Sequence, residues 1–135
     1  MGKLITMIAG AVLVAVTPAA ASTPEENEAE LERALEGRVA GEPVSCIDLH
    51  RVRSSRVIND TAILYDAGST LYLQRPRSGA SSLNRWDTLV TRSYSTRLCS
   101  IDTVNIVDTQ SVMLTGVVFL DEFVPYRRVS RASAD

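Results

Sequence analysis

Short runs of β-branched and aromatic residues, separated by turn residues, dominate the chain from Pro43 onwards. This punctuation is typical of β-strands. The pattern predicts strands over 51–58, 61–65, 70–74 and 103–107, a weaker strand over 90–94, and one or two more over 112–114 and 116–124. Five to seven short strands at hairpin spacing predict a mainly β fold, either a small antiparallel barrel or a curved sheet.

Two of these runs carry further information. In the strand over 70–74, alternation places Leu71 and Leu73 on one face and Tyr72 on the other. The apolar run over 117–120 fits a helix by periodicity alone, but its length and the flanking Gly116 and Pro125 favour a buried strand. Residues 75–85, rich in Ser, Gly and Pro, are predicted to form a loop with one short turn.

A short helix is predicted ahead of the strands. The stretch Thr23-Pro-Glu-Glu26 has the Thr-x-x-Glu spacing of a capping box with Pro in the first turn. Leu31 and Leu35, one turn apart, form a thin apolar stripe, and Gly37 is a suitable stop. A helix this short is marginal without packing. The favoured interpretation is a solvated, partly frayed leader, and the alternative is a helix that docks on a partner.

Residues 1–21 have the organisation of a signal peptide. Lys3 is followed by an apolar run and then by Pro18 and three alanines with small side chains at the cleavage positions. A membrane anchor is disfavoured because 13 helical residues span only about 20 Å of a roughly 30 Å hydrocarbon core. We therefore expect cleavage near Ala21, a periplasmic or secreted protein, and no transmembrane segment after cleavage.

The rest of the chain is predicted to have three segments, and charge marks the first boundary, after Glu42. Residues 22–42 form an acidic leader with seven Glu against two Arg, residues 43–128 form the β-rich domain, and residues 129–135 form a C-terminal tail. The overall net charge of −2 argues against a nucleic-acid partner. Lys3 is the only lysine, so the mature chain holds none for lysine-based catalysis.

The two cysteines are the strongest chemical signal. Cys46 and Cys99, in an exported chain, are predicted to form a structural disulfide. A redox-active or metal-binding pair is the alternative, but such cysteines usually lie close together in sequence. Two Cys and one His are too few for a Cys₄ or Cys₂His₂ zinc site, and no metal site or cofactor is predicted.

Local basic clusters make an anion site conceivable. The clusters are Arg51, Arg53 and Arg56, then Arg75 and Arg77, then Arg127, Arg128 and Arg131. The candidate anion-binding residues are Arg51, Arg53, Arg75 and Arg77, because guanidinium groups on one strand face would bind a phosphate headgroup or a sulfated glycan. The favoured alternative is a solvated basic surface balanced by the acidic leader. Trp86 and the four tyrosines also invite comparison with an aromatic ligand platform, although core packing is favoured for most of them.

Catalysis has one candidate residue. His50 is the only imidazole and lies near Asp48, so a small hydrolase would combine it with a carboxylate and a serine. No G-x-S-x-G elbow is present, and a surface or packing histidine is favoured. The leading hypothesis is a non-catalytic binding or structural module of the cell envelope whose partner is an envelope protein or an anionic envelope component. The hydrolase and the anion-binding protein are its alternatives.

Four stretches of the chain resemble a known family. They are residues 37–47 around Cys46, 61–72, 98–102 around Cys99, and 122–126. In these stretches the chain resembles an uncharacterised family of small exported proteins of Gram-negative bacteria with two cysteines, a domain of unknown function. The resemblance covers about residues 37–127, implies a periplasmic address, and implies no catalytic residue, cofactor or ligand.

Overall fold

The computed structural model describes residue 2, residues 10–16 and residues 21–129. The predicted signal peptide and C-terminal tail therefore lie largely outside the described residues. The described part contains one α-helix, α1 (Pro24–Ala34), one 3₁₀ turn (Ala80–Ser82) and ten strands, which are β1 (Arg38–Ala40), β2 (Cys46–Asp48), β3 (Ser54–Ile58), β4 (Ala62–Asp66), β5 (Thr70–Gln74), β6 (Thr88–Thr91), β7 (Arg97–Cys99), β8 (Thr103–Val107), β9 (Leu114–Phe119) and β10 (Phe123–Arg128). Within these ranges, no helix has the length and apolar character needed to cross a bilayer.

The strands form three antiparallel sheets. The largest has the order β1-β10-β5-β4-β3, a second pairs β2 with β7, and a third has the order β6-β8-β9. The predicted mainly β, curved-sheet class is confirmed, and none of the three sheets closes into a barrel within the described ranges. The described residues contain ten strands, whereas five to seven were predicted. The three additional strands are β1, β2 and β7, each only three residues long.

Several predicted strand boundaries need correction. Residues 51–53 lie in a turn and its exit, so β3 begins at Ser54 and not at Arg51. The weak candidate over 90–94 is β6, displaced to Thr88–Thr91. The stretch 116–124 divides between β9 and β10, because the chain leaves the third sheet after Phe119 and enters the largest sheet at Phe123.

The largest sheet packs against other parts of the chain on both of its faces. On β4, Ile63 and Tyr65 point into the main core, which is shared with the two smaller sheets. Ala62 and Leu64 point towards α1, into a second core that we call the α1 core. Side chains of adjacent strand residues point to opposite faces, so four consecutive residues of this inner strand are buried. The molecule thus has three layers, in which α1 and the smaller sheets cover opposite faces of the five-stranded sheet.

Helix α1 is part of the domain. Thr23 Oγ1 accepts a hydrogen bond from the Glu26 N–H, and the Glu26 side chain accepts one from the Thr23 N–H, which completes the predicted capping box. Leu31 is 1% exposed in a core formed with sheet residues. The expectation of a solvated leader is therefore wrong, because the apolar stripe of the helix finds a partner within its own chain. The acidic leader also supplies β1, which pairs with β10.

The predicted disulfide is present. Cys46 of β2 and Cys99 of β7 are direct partners in the two-stranded sheet, with their Cα atoms 4.0 Å apart and their sulfur atoms bonded. Ile47 and Leu98, the next pair in the register, lie in the main core. The disulfide therefore links β2 to β7, and the next residue pair of the same two strands packs into the main core.

Candidate functional site

A cleft of about 470 Å³ lies where α1, β3 and β6 meet. We call it the β3–β6 cleft. Its lining comprises Glu30 of α1, Ser55, Arg56 and Val57 of β3, and the continuous stretch Arg85, Trp86, Asp87, Thr88 and Leu89 that leads into β6. The volume is in the range of small-ligand and peptide-side-chain pockets. The cleft joins the helix layer to two of the sheets, so its shape depends on how they pack.

The walls of the cleft are strand edges. β3 is an outer strand of the five-stranded sheet, and β6 is an outer strand of the three-stranded sheet. Consecutive residues of β3 line the cleft, including the core-facing Val57 and the exposed Arg56. A strand that turned only one face to the cleft would contribute every second residue. The consecutive lining therefore indicates that β3 presents its backbone edge.

An ionic cluster holds the walls together. Glu30 accepts a hydrogen bond from Arg56 Nη2 at 2.8 Å and another from Arg85 Nη2 at 2.6 Å. The hydrogen bond from Arg56, followed by the charge of Arg85, outweighs desolvation and lowers the pKa of Glu30 below its ordinary value of 4.5. Glu30 is therefore ionised at neutral pH, and two guanidinium groups share one carboxylate. The cluster carries a net charge of +1.

Hydrogen bonds position the turn that carries Arg85 and Trp86. The Arg85 N–H donates to Asn59 Oδ1 at 2.8 Å, and the Trp86 N–H donates to Asn84 Oδ1 at 3.1 Å. Thr109 Oγ1 donates to the Trp86 carbonyl oxygen at 2.8 Å. The backbone of the turn is thus tied to two other parts of the chain. Trp86 nevertheless remains 75% exposed.

The lining offers both hydrogen-bond donors and acceptors around one aromatic ring. The guanidinium groups of Arg56 and Arg85 each have five N–H donors, and each donates one hydrogen bond to Glu30. Most of their N–H groups therefore remain available to a ligand. Ser55 and Thr88 add hydroxyl groups, and Asp87 adds a carboxylate. An exposed indole beside such polar groups has the chemistry of a recognition surface, since it contributes a large apolar contact area.

The structure does not gather the four predicted anion-binding arginines. Arg51 lies on an exposed turn with Asp48 3.9 Å away, and Arg53 precedes β3. Arg75 donates two hydrogen bonds of 2.9 Å to Glu28 of α1, which raises the pKa of Arg75 and lowers that of Glu28. Arg77 follows it on an exposed loop. Anion binding by these residues stays a prediction.

His50 lies on an exposed turn, away from the β3–β6 cleft. Its backbone N–H donates to Asp48 Oδ1 at 2.9 Å, and in the described part of the chain no serine hydroxyl is hydrogen-bonded to its imidazole. The geometry therefore gives the hydrolase hypothesis no support. Also among these residues, no group of three or more His, Cys, Asp or Glu side chains is placed to hold a metal ion.

The aromatic residues are dispersed. Tyr65 packs edge-on against Phe123 in the main core, and burial raises its pKa. Tyr72 and Tyr126 are partly buried against different cores, and Tyr94 is fully exposed on a loop. Of the aromatic residues singled out from the sequence, Trp86 is the one in the cleft.

Glu30 and Arg85 were not singled out from the sequence, and Arg56 was assigned to a basic cluster but not to the candidate anion site. Glu30 is 26 residues from Arg56 and 55 residues from Arg85 along the chain. The opposite charges of the acidic leader and the basic domain were the available signal, but many pairings satisfy it equally well. Only the register of the strands and the position of α1 select this one.

Comparison with known proteins adds no assignment. No protein-family model, curated protein or solved structure matches this chain. The resemblance to exported two-cysteine proteins therefore stays a prediction, and the function has to be argued from the cleft itself.

Proposed function

We propose that this protein is an exported, non-catalytic binding domain of the cell envelope, and that its ligand occupies the β3–β6 cleft. The observation that carries the proposal is the combination of an exposed Trp86 with the cluster of Glu30, Arg56 and Arg85 in one cleft. The ion pairs account for the contact between α1 and the sheets, but they do not account for the exposed ring of Trp86 in the same cleft. Tryptophan is enriched at interfaces because it combines a large apolar ring with an N–H donor.

Two observations support export. Residues 12–16 lie within the apolar run of the predicted signal peptide, and four of their side chains, Val12, Leu13, Val14 and Val16, are each at least 76% exposed. An apolar run that does not join the core suits a leader that is removed after translocation. The disulfide is also typical of oxidising compartments. The periplasm or the cell exterior is therefore the proposed location.

The lining of the cleft supports binding more than catalysis. It contains no imidazole and no thiol, the groups most often used for proton transfer and nucleophilic attack near neutral pH. Glu30 has a lowered pKa and two guanidinium partners, which makes it a weak base. The same partners make the cluster a rigid recognition element with free N–H donors.

The proposal can be tested with the fluorescence of Trp86, because it is the only tryptophan in the chain. The mature protein, beginning at Ser22, is titrated with a library of octapeptides and with a panel of bacterial-envelope oligosaccharides. We expect at least one probe class to shift the emission to shorter wavelength in a saturable manner, because a ligand in the cleft removes water from the indole ring.

A matched control moves the fluorophore. In a Trp86→Phe, Tyr94→Trp double variant, the single tryptophan lies on an exposed loop beyond the other end of β6. Its emission should stay constant with the same probes. If neither probe class changes the Trp86 emission, or if the wild type and the double variant respond equally, the proposed binding site is wrong.

A further inference from the structure

The edge of β3 has unused hydrogen-bonding capacity. β3 pairs with β4 on one side only, so its alternate backbone N–H and C=O groups point away from the sheet. Ser54, Ser55 and Arg56, the first three of its five residues, are exposed. Unpaired strand edges are templates for another strand, and proteins usually cover them or charge them. Here the edge opens into the β3–β6 cleft.

Resting on the proposed function, we propose that the ligand is an extended peptide segment with an acidic side chain, which pairs with β3 as a sixth strand of the five-stranded sheet. Strand addition to a sheet edge is a general mode of peptide recognition, in which main-chain hydrogen bonds supply affinity and side-chain contacts supply specificity. A sugar in the same place would leave the backbone groups of β3 without regularly spaced partners.

The ionic cluster favours the acidic side chain, although the two arginines and two acids of the whole lining balance each other. Arg56 and Arg85 share the single carboxylate of Glu30, so the cluster has one positive charge in excess. Asp87, the other acid in the lining, faces Thr115, whose hydroxyl lies 3.4 Å from Asp87 Oδ2. A peptide carboxylate beside Arg56 would take the free N–H groups and neutralise the excess charge. Guanidinium groups bind carboxylates with directional, charge-assisted hydrogen bonds.

The wall opposite β3 supplies a side-chain contact. Trp86 precedes β6, and its exposed ring belongs to the same cleft as the edge of β3. Successive side chains of an added strand point to opposite faces of the sheet. A peptide with an acidic residue and an apolar residue at suitable positions along the strand would contact the arginines with one and the indole ring with the other. Specificity would thus come from a short side-chain pattern.

The experiment selects octapeptides from a displayed random library on the wild-type mature protein and measures their affinity through Trp86 emission. We expect the selected peptides to share an acidic residue. The best peptide is then synthesised in two forms, with its odd-numbered or its even-numbered amides N-methylated. One form should lose at least tenfold in affinity and the other less than twofold, because only alternate amides face β3.

Variants of the protein test the charge contact. Arg56→Gln should weaken the peptide about tenfold, whereas Arg97→Gln, a matched change at an exposed strand position outside the cleft, should leave its affinity unchanged. Equal losses for the two N-methylated forms, or no loss in Arg56→Gln, would overturn the strand-addition proposal. Binding of oligosaccharides without any selected peptide would also overturn it while leaving the proposed function intact. Failure of both probe classes would overturn both.

Discussion

Leu31→Ala tests whether α1 is held on the five-stranded sheet by its apolar stripe. Leu31 is 1% exposed and shares a core with Ile58, Ala62, Leu64 and Leu73. The substitution removes three carbon atoms, which at roughly 0.8 kcal/mol each amounts to about 2.4 kcal/mol of transfer free energy. The cavity left behind adds to this loss, so we expect the free energy of unfolding to fall by about 3 kcal/mol.

Urea unfolding followed by circular dichroism measures this loss. Leu35→Ala is the matched control, because Leu35 lies one turn later and only borders the same core. Its cost should be about 1 kcal/mol, since less buried surface is removed. Small domains are stable by only about 5–15 kcal/mol, so the two variants should be clearly separated.

The result also bears on the β3–β6 cleft, because Glu30 is the neighbour of Leu31 in α1 and bridges Arg56 and Arg85. A helix that loosens in Leu31→Ala should reduce peptide affinity as well as stability. If Leu31→Ala lowers the free energy of unfolding by about 1 kcal/mol or less, no more than Leu35→Ala does, Leu31 is not the main anchor of the helix.

Three further predictions concern the disulfide, an ion pair and a turn. Replacing Cys46 and Cys99 together by serine should lower the free energy of unfolding by roughly 4 kcal/mol, because the bond closes a loop with a sequence separation of 53; thermal unfolding of the variant and of the reduced wild type should agree. Glu30→Gln should cost about 1 kcal/mol at pH 7. Because the pKa of Glu30 is lowered in the folded state, its contribution is present above the ordinary value of 4.5 and is lost as the pH falls through the folded value. Urea titrations should therefore show the difference from wild type shrinking between pH 5 and pH 3, and a difference that grows instead would reverse the assigned sign. Gly79→Ala should destabilise by at least about 1 kcal/mol, because Gly79 has φ of 83° and an added Cβ would overlap the Val117 carbonyl oxygen; an unchanged melting temperature would contradict this.

Local signals in the sequence were enough to predict several elements. The bounds predicted for β5 and β8 are those observed, and Leu71 and Leu73 face the α1 core while Tyr72 borders the other core. Each of these elements has five residues with β-branched or alternating apolar side chains, so its pattern is readable without its partner.

Other features depend on partners that are distant in sequence. β1, β2 and β7 have three residues each and show no periodicity, and they become strands because β10 completes β1 and because β2 and β7 complete each other. The same holds for the site. Glu30 is brought to Arg56 and Arg85 by the packing of Leu31 and by sheet register, neither of which has a local sequence signature.

Hydrogen–deuterium exchange is the most direct test of the claim that the edge of β3 is the binding surface. The backbone amides are followed by NMR in the free protein and in the presence of the probe that gives the strongest Trp86 response. We predict slowed exchange at the outward-facing amides of β3, with the exposed edge strand β1 at the opposite side of the same sheet unchanged. Equal protection of β1 and β3, or protection of neither at saturation, would contradict the account.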